Sequence, residues 1–252
     1  MKLDWSDLRQ ELVQWRNRDM RLPLWWRDDD AVEPTRALDR LTELSGRIGL
    51  PVHLAVIPRF AKVSLVEHCR QCELVPVVHG WSHENHAQSG AKKAEFGADV
   101  PRASHDIKLA FSTMQEMFGS QLVPMFVPPW NRMDTNLLPA LVSAGFATVS
   151  AFTPRAAAQP VPNLTQVNCH VDPIDWRGTR DLTDPALLIR HVVRLLRDRR
   201  TGIADNDEPL GYLSHHLVHT EAIWDFTEQF FQIMAEGPVD AYSARHPGPE
   251  PL

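Results

Sequence analysis

Cysteine is scarce: Cys69, Cys72 and Cys169 are the only three in 252 residues. A small odd number cannot build a disulfide framework, which fits a reducing compartment. Cys69 and Cys72 form a C-x-x-C beside His68, but no second pair completes a four-thiolate zinc site. Two reduced thiols on a helix are expected. Positive charge is not in surplus either, with 26 Lys plus Arg against 32 Asp plus Glu and a net charge of −6. A nucleic-acid partner would require a basic face, so none is expected. No apolar run is long enough to span a membrane. The charged start, Met1-Lys2-Leu3-Asp4-Trp5-Ser6-Asp7, lacks the apolar segment of a secretion signal. The expectation is a cytoplasmic protein with no membrane partner. Fixed-period repeats are absent as well.

What the chain does have is ordinary globular composition, 43% hydrophobic and 23% charged, enough for a sizeable core. Residues 4–19 read as a helix with Leu8, Leu12 and Trp15 on one face. Leu22 to Trp26 is a short bulky strand ending at Arg27-Asp28-Asp29-Asp30, and Pro34 opens a helix that Gly49 stops. Strands follow at 52–57, 74–78, 123–127, 147–152, 164–169 and 210–214, with helices at 62–72, 107–118, 135–144, from Pro185, and 219–235. Residues 87–104 read as a polar loop long enough to be a flap, and the Pro/Gly-rich stretch 237–252 as a loosely ordered tail. Strand then helix, about seven times without a linker-like break, predicts one α/β domain over the whole chain, barrel-like, with its site at the C-terminal strand ends.

Those strand ends carry the chemistry. Leu74 to Val78 leads into His79, His83 and His86, whose i, i+4, i+7 spacing would align all three on a helical turn. Asp28-Asp29-Asp30 also follows an apolar run. Two histidines and one carboxylate form a common catalytic metal set with a coordination position left for water. An isolated acidic run could equally cap the helix after Pro34. Pro128-Pro129-Trp130, Asp172-x-x-Asp175-Trp176 and His215-His216 end three further strands.

Taken in this order, the segments resemble the polysaccharide deacetylase family, the fourth family of carbohydrate esterases, over roughly residues 22–216. The family has an acidic pair after its first strand, His-[Ser/Thr]-x-x-His after its third and Arg-Pro-Pro-Tyr after its fourth. An Asp-Trp and a Leu-x-His follow. The counterparts here are Asp29-Asp30, His79-Gly80-Trp81-Ser82-His83, Val127-Pro128-Pro129-Trp130, Asp175-Trp176 and Leu213-Ser214-His215. Ala31 falls where the family has glycine, which favours Asp29/Asp30 over a register using Asp28. Gly80 replaces the hydroxyl residue, a small change. Val127 replaces the arginine that holds the family's catalytic aspartate, leaving Arg27 and Arg132 as candidates for that task. His216 stands in place of an aspartate.

The resemblance implies a distorted (β/α)7 barrel and a metal-dependent hydrolase that removes an N-acetyl group from an amino sugar, oligosaccharide or acetylated glycan. It implies one divalent ion on Asp30, His79 and His83, Zn²⁺ first, with Co²⁺, Mn²⁺ or Ni²⁺ compatible with the same donors. Asp28, His86 and His219 are alternate ligands. Asp29 would be the general base and His215 the general acid, with Asp175 holding His215 and His216 the alternate. A backbone N–H near Trp130 would face the oxyanion. Pro129, Trp130, Trp176 and Leu213 would line the substrate pocket. Two other readings keep the site: an amidase acting on a small non-sugar amide, and a catalytically weakened metal- or sugar-binding module, which Val127 and His216 favour.

Overall fold

The computed structural model of the chain describes residues 3–72, 74–97 and 99–252. Its centre is a parallel sheet. β1 (Leu22–Ala31) pairs with β2 (Val52–Val56), and β3 (Val75–His79), β4 (Met125–Val127), β5 (Thr148–Val149) and β6 (Thr165–Gln166) continue outward in sequence order. On its other side β1 takes β7 (Leu210–Ser214). The sheet then curls back on itself. Val171 bridges Tyr212, with Leu213 N–H donating to the Val171 carbonyl at 2.8 Å. Gly211 permits this closure, because a Cβ there would lie 2.5 Å from both the Asn168 carbonyl oxygen and Trp25 Nε1. The result is the expected distorted (β/α)7 barrel.

Helices cover its outside: α1 (Ser6–Arg16), α2 (Arg36–Ile48), α3 (Val63–Gln71), α4 (Val100–Phe118), α5 (Leu138–Ala144), α6 (Pro185–Arg200) and α7 (Glu221–Ala235). Their ends follow capping chemistry. The side chains of Thr35, Asp99, Asp184 and Thr220 accept first-turn N–H groups of α2, α4, α6 and α7, and Gly49 ends α2 at φ +77°. Thr35, not the acidic run, therefore caps the helix after Pro34. Two apolar layers result. Leu22, Leu24 and Trp26 face the helices, whereas Trp25 faces the barrel interior with Val77, Val127, Cys169 and Leu213. No helix among the described residues is long and apolar enough to cross a membrane.

The stretch 237–252 is not a loose tail. β8 (Val239–Ser243) runs parallel to the start of β1, and β9 (His246–Pro251) pairs antiparallel with β8. Val239 and Ala241 are buried, and Arg21 pairs with Asp240. The pairing is set by contacts from the other end of the chain, which Pro/Gly composition does not report. The polar loop also ends earlier than expected, at the Asp99 cap of α4.

Candidate metal centre

β1 runs through the acidic segment rather than stopping before it. Strand alternation turns Arg27 and Asp29 inward and Asp28 outward. Arg27, fully buried, grips Asp29 with two parallel hydrogen bonds, Nε to Oδ1 at 2.8 Å and Nη2 to Oδ2 at 3.0 Å. The same guanidinium donates to Asn131 Oδ1 (2.6 Å), Ser150 Oγ (2.8 Å) and the Ala151 carbonyl (3.2 Å). Arg132 plays no part in this grip and donates to the Lys93 carbonyl instead. Asp28 is sealed away from the centre, its carboxylate bonded to Ser214 and His216. Asp30 departs from the alternation. The β1–β2 register skips between Asp28 and Ala31, and Asp30 adopts φ +75°. Such a bulge re-aims a side chain, here onto the end of β3.

At that end, His79 Nε2 lies 3.1 Å and His83 Nε2 3.3 Å from Asp30 Oδ1. The segment after His79 is a tight turn, not a helix. His83 returns to the centre through its own left-handed backbone (φ +57°), and His86 ends exposed, outside the cluster. Glu95, buried in the preceding loop of α4, holds this turn. Its carboxylate accepts the N–H groups of Trp81 (3.3 Å), Ser82 (2.7 Å) and His83 (3.2 Å), and the Ser82 hydroxyl. Gly80 is more than a small change. It has φ +59°, and a Cβ would lie 2.3 Å from Glu95 Oε2 and 2.6 Å from the Pro129 ring. The closing wall is Pro129-Trp130-Asn131, with Trp130 and Asn131 both left-handed (φ +55° and +56°). Trp130 packs on His83 at 4.3 Å between ring centroids, and Lys93 Nζ lies 5.8 Å from the centroid of the Trp130 ring. Four of the eight non-glycine residues with positive φ among those described surround this one point. Strain of that kind collects where side chains are held for a task.

Three donor atoms, one each from Asp30, His79 and His83, lie within 4.8 Å of one another. The donors fit a divalent cation. His79 Nδ1 lies 3.0 Å from the Val127 carbonyl, which only accepts, so the proton sits on Nδ1 and the Nε2 lone pair faces Asp30. A lone pair 3.1 Å from a carboxylate oxygen needs a proton or a cation between them. Without a metal, a proton fills that role. Burial disfavours charge on His79, but the Asp29 and Asp30 carboxylates outweigh it and raise its pKa above the ordinary imidazole value. Burial likewise opposes ionisation of Asp30, yet the hydrogen bond from His79 and the charges of His79, His215 and His83 hold its pKa well below the usual range. Burial, reinforced by His79, lowers the pKa of His83.

Across the mouth, His215 follows β7, with its N–H donating to His219 Nε2 at 3.2 Å and its ring edge-on to Trp176 at 4.7 Å. Asp175 does not hold His215. Its carboxylate accepts Gly178 and Thr179 N–H groups within its own turn. The neighbouring carboxylate is Asp172, bonded to Ile174 N–H and Trp176 Nε1. Burial raises its pKa and the charge of His215 opposes the rise. His216 and His219 lie outside the Asp30–His79–His83 cluster, His216 against Asp28 and His219 against Trp224. Trp176 is 41% exposed, whereas Leu213 and Pro129 are buried in the walls. Sequence reasoning missed Glu95, Asn131, Ser150 and Asp172 in these positions. Only Asp172 carried a signal, as the first acid of D-x-x-D-W.

No protein-family profile matches the chain, and no curated protein sequence matches it. Solved structures do. A family 4 carbohydrate esterase from Streptomyces lividans, in complex with acetate, superposes with a TM-score of 0.57 at 15% identity, covering 92% of this chain and 98% of that one. The Bc1960 peptidoglycan N-acetylglucosamine deacetylase gives 0.55 at 15% identity, over 86% and 83%. BA3943 from Bacillus anthracis, a pseudoenzyme of the same family, gives 0.53 at 13% identity, over 87% and 63%. The chain therefore has the polysaccharide deacetylase fold in a sequence-divergent form.

Proposed function

We propose that this chain is a metal-dependent hydrolase that cleaves an N-acetyl amide of an amino sugar or acetylated oligosaccharide. The observation that carries the reading is the convergence of Asp30, His79 and His83 beside an aspartate, Asp29, that is separately gripped by Arg27. A divalent cation held by those three ligands would acidify a bound water and polarise an acyl oxygen.

The remaining work falls to side chains of the protein. Asp29 accepts a proton from the attacking water, whose oxygen bonds to the acyl carbon. Arg27 fixes both carboxylate oxygens of Asp29, so the base has one orientation. His215 delivers a proton to the nitrogen as the C–N bond breaks and its electron pair moves to that nitrogen. Acetate and a free amine leave. Asp172, in the place first expected of Asp175, supplies the negative charge near His215. Trp176 beside His215 and Trp130 beside His83 offer flat apolar surface to a sugar ring. The grip of Arg27 argues against a weakened binding module, since it supplies the support that Val127 lacks.

The test is acetate release from short N-acetylglucosamine oligomers and from simple acetamides, with metal content measured by elemental analysis. One ion per chain, and turnover lost in Asp29→Asn with the ion retained, is the expected result. Equal and negligible turnover in wild type and variant would overturn the reading. Preference for simple acetamides would move the substrate away from sugars.

A further inference from the structure

His215 presents a problem of aim. Its Nδ1 is buried without a hydrogen-bond partner among the described residues. The nearby Asp172 oxygens are engaged by Ile174 N–H and Trp176 Nε1. Nothing grips the ring through its nitrogen, so its direction must come from the backbone that carries it. That backbone is bracketed by one side chain. Asp28 Oδ2 accepts the Ser214 hydroxyl at 2.6 Å and the His216 N–H at 3.0 Å, while Oδ1 pairs with His216 Nδ1. Trp26 Nε1 in turn donates to Ser214 Oγ at 2.8 Å. Asp28, Ser214 and His216 are each no more than 1% exposed.

We propose that Asp28 is a positioning residue: its buried carboxylate anchors the residues on both sides of His215 and thereby sets the aim of that imidazole. A buried carboxylate is costly unless well bonded, and an apolar side chain often packs as well in its place. Here its three donors come from the residue before and the residue after His215. The anchor also joins β7 to the strand that carries Asp29 and Asp30, so acid, base and metal ligand share one rigid support. The inference rests on the reading of His215 as the acid in the proposed hydrolysis.

A leaving-group comparison tests it. An amide needs its nitrogen protonated, whereas 4-nitrophenyl acetate expels a stable phenolate without an acid. Asp28→Asn keeps the shape and removes the charge that pairs with His216. Amide kcat is expected to fall about a hundredfold, as for an ångström-scale misplacement. The fall should exceed that on the activated ester by tenfold or more, with KM and metal content little altered. Ser214→Ala, which removes one anchor, should shift the same ratio less far and serves if Asp28→Asn does not fold. Asp28→Asn should add little in a His215→Ala background. Equal losses on amide and ester, or loss of the metal, would make Asp28 merely structural and overturn the proposal. A second readout is independent of turnover: NMR of labelled histidines should show the His215 ring resonances moving in Ser214→Ala while those of His79 and His83 stay. An unmoved His215 overturns the positioning role. Absence of wild-type turnover on both substrates would instead overturn the proposed function.

Discussion

Replacing Arg27 with Met removes the grip on Asp29 and leaves the three ligand atoms untouched. The guanidinium is fully buried and makes five hydrogen bonds, two to Asp29 and one each to Asn131, Ser150 and the Ala151 carbonyl. Deleting one partner of a buried, well-bonded ion pair costs about 3–5 kcal/mol, because the remaining charge is stranded. In a chain of this size each kcal/mol lowers the melting temperature by about 2–4 °C, so Arg27→Met should melt roughly 6–20 °C below wild type. Turnover should fall about a hundredfold, since a freed carboxylate no longer meets the water in one orientation. Metal content should stay at one ion per chain. Arg27→Lys keeps the charge without the planar two-pronged geometry, so it should recover melting temperature more than turnover. Calorimetry, elemental analysis and acetate release read the three quantities separately. A variant that melts and turns over like wild type would refute the reasoning. Loss of metal from Arg27→Met would refute it differently, by assigning the arginine to the ligands instead of the base.

Glu95→Gln replaces a pure acceptor with an amide whose NH₂ must face backbone N–H groups, so metal affinity should fall about 10–100-fold by titration calorimetry; unchanged affinity would separate Glu95 from the His83 turn. His53 is buried, bonded to the Trp26 carbonyl and the Ala244 N–H, and burial depresses its pKa from 6.5 to about 4. The unfolded chain therefore binds the extra proton between those values, so stability present above pH 6.5 should decline by about 3 kcal/mol towards pH 4, and His53→Gln should flatten that part of a denaturation–pH profile. Asp30 holds φ +75°, so metal-free Asp30→Gly should be more stable than Asp30→Ala by about 1–2 kcal/mol in urea, the reverse of the usual order. Alanine proving the more stable would show that the backbone relaxes once the carboxylate is gone.

The barrel was legible because most strands, β1 to β4 among them, lie in apolar runs with a striped helix next in the chain or soon after, and the centre because two such runs end in titratable residues. What was not legible depended on distance or on turn geometry. Glu95 reaches the N–H of His83 from twelve residues away, inside a loop with no period to mark it. β8 is a five-residue strand whose parallel partner, β1, lies at the opposite end of the chain. Asp172 and Asp175 are equivalent in sequence, and the turn that Asp175 closes on Gly178 and Thr179 is what withdraws it from His215. Arg27 and Arg132 were both legible as holders of the aspartate, and strand geometry chooses between them: residues two apart share one face, which is the spacing of Arg27 and Asp29.

Three consecutive carboxylates on one buried strand should repel one another, and β1 tolerates them because each points elsewhere and meets its own cation. Asp28 faces outward to His216, Asp29 inward to Arg27, and Asp30 is turned by the bulge to His79 and His83. The three partners differ in kind. Arg27 carries a permanent charge and bonds one lone pair on each oxygen of Asp29, leaving the others free to accept a proton. His216 is sealed with Asp28 beneath the surface. Only Asp30 is neutralised by a proton that can leave, shared with rings whose lone pairs then face the same point. The order of the acidic run thus decides which aspartate meets the two imidazoles, and the backbone irregularity at Asp30 is the feature that turns it towards them.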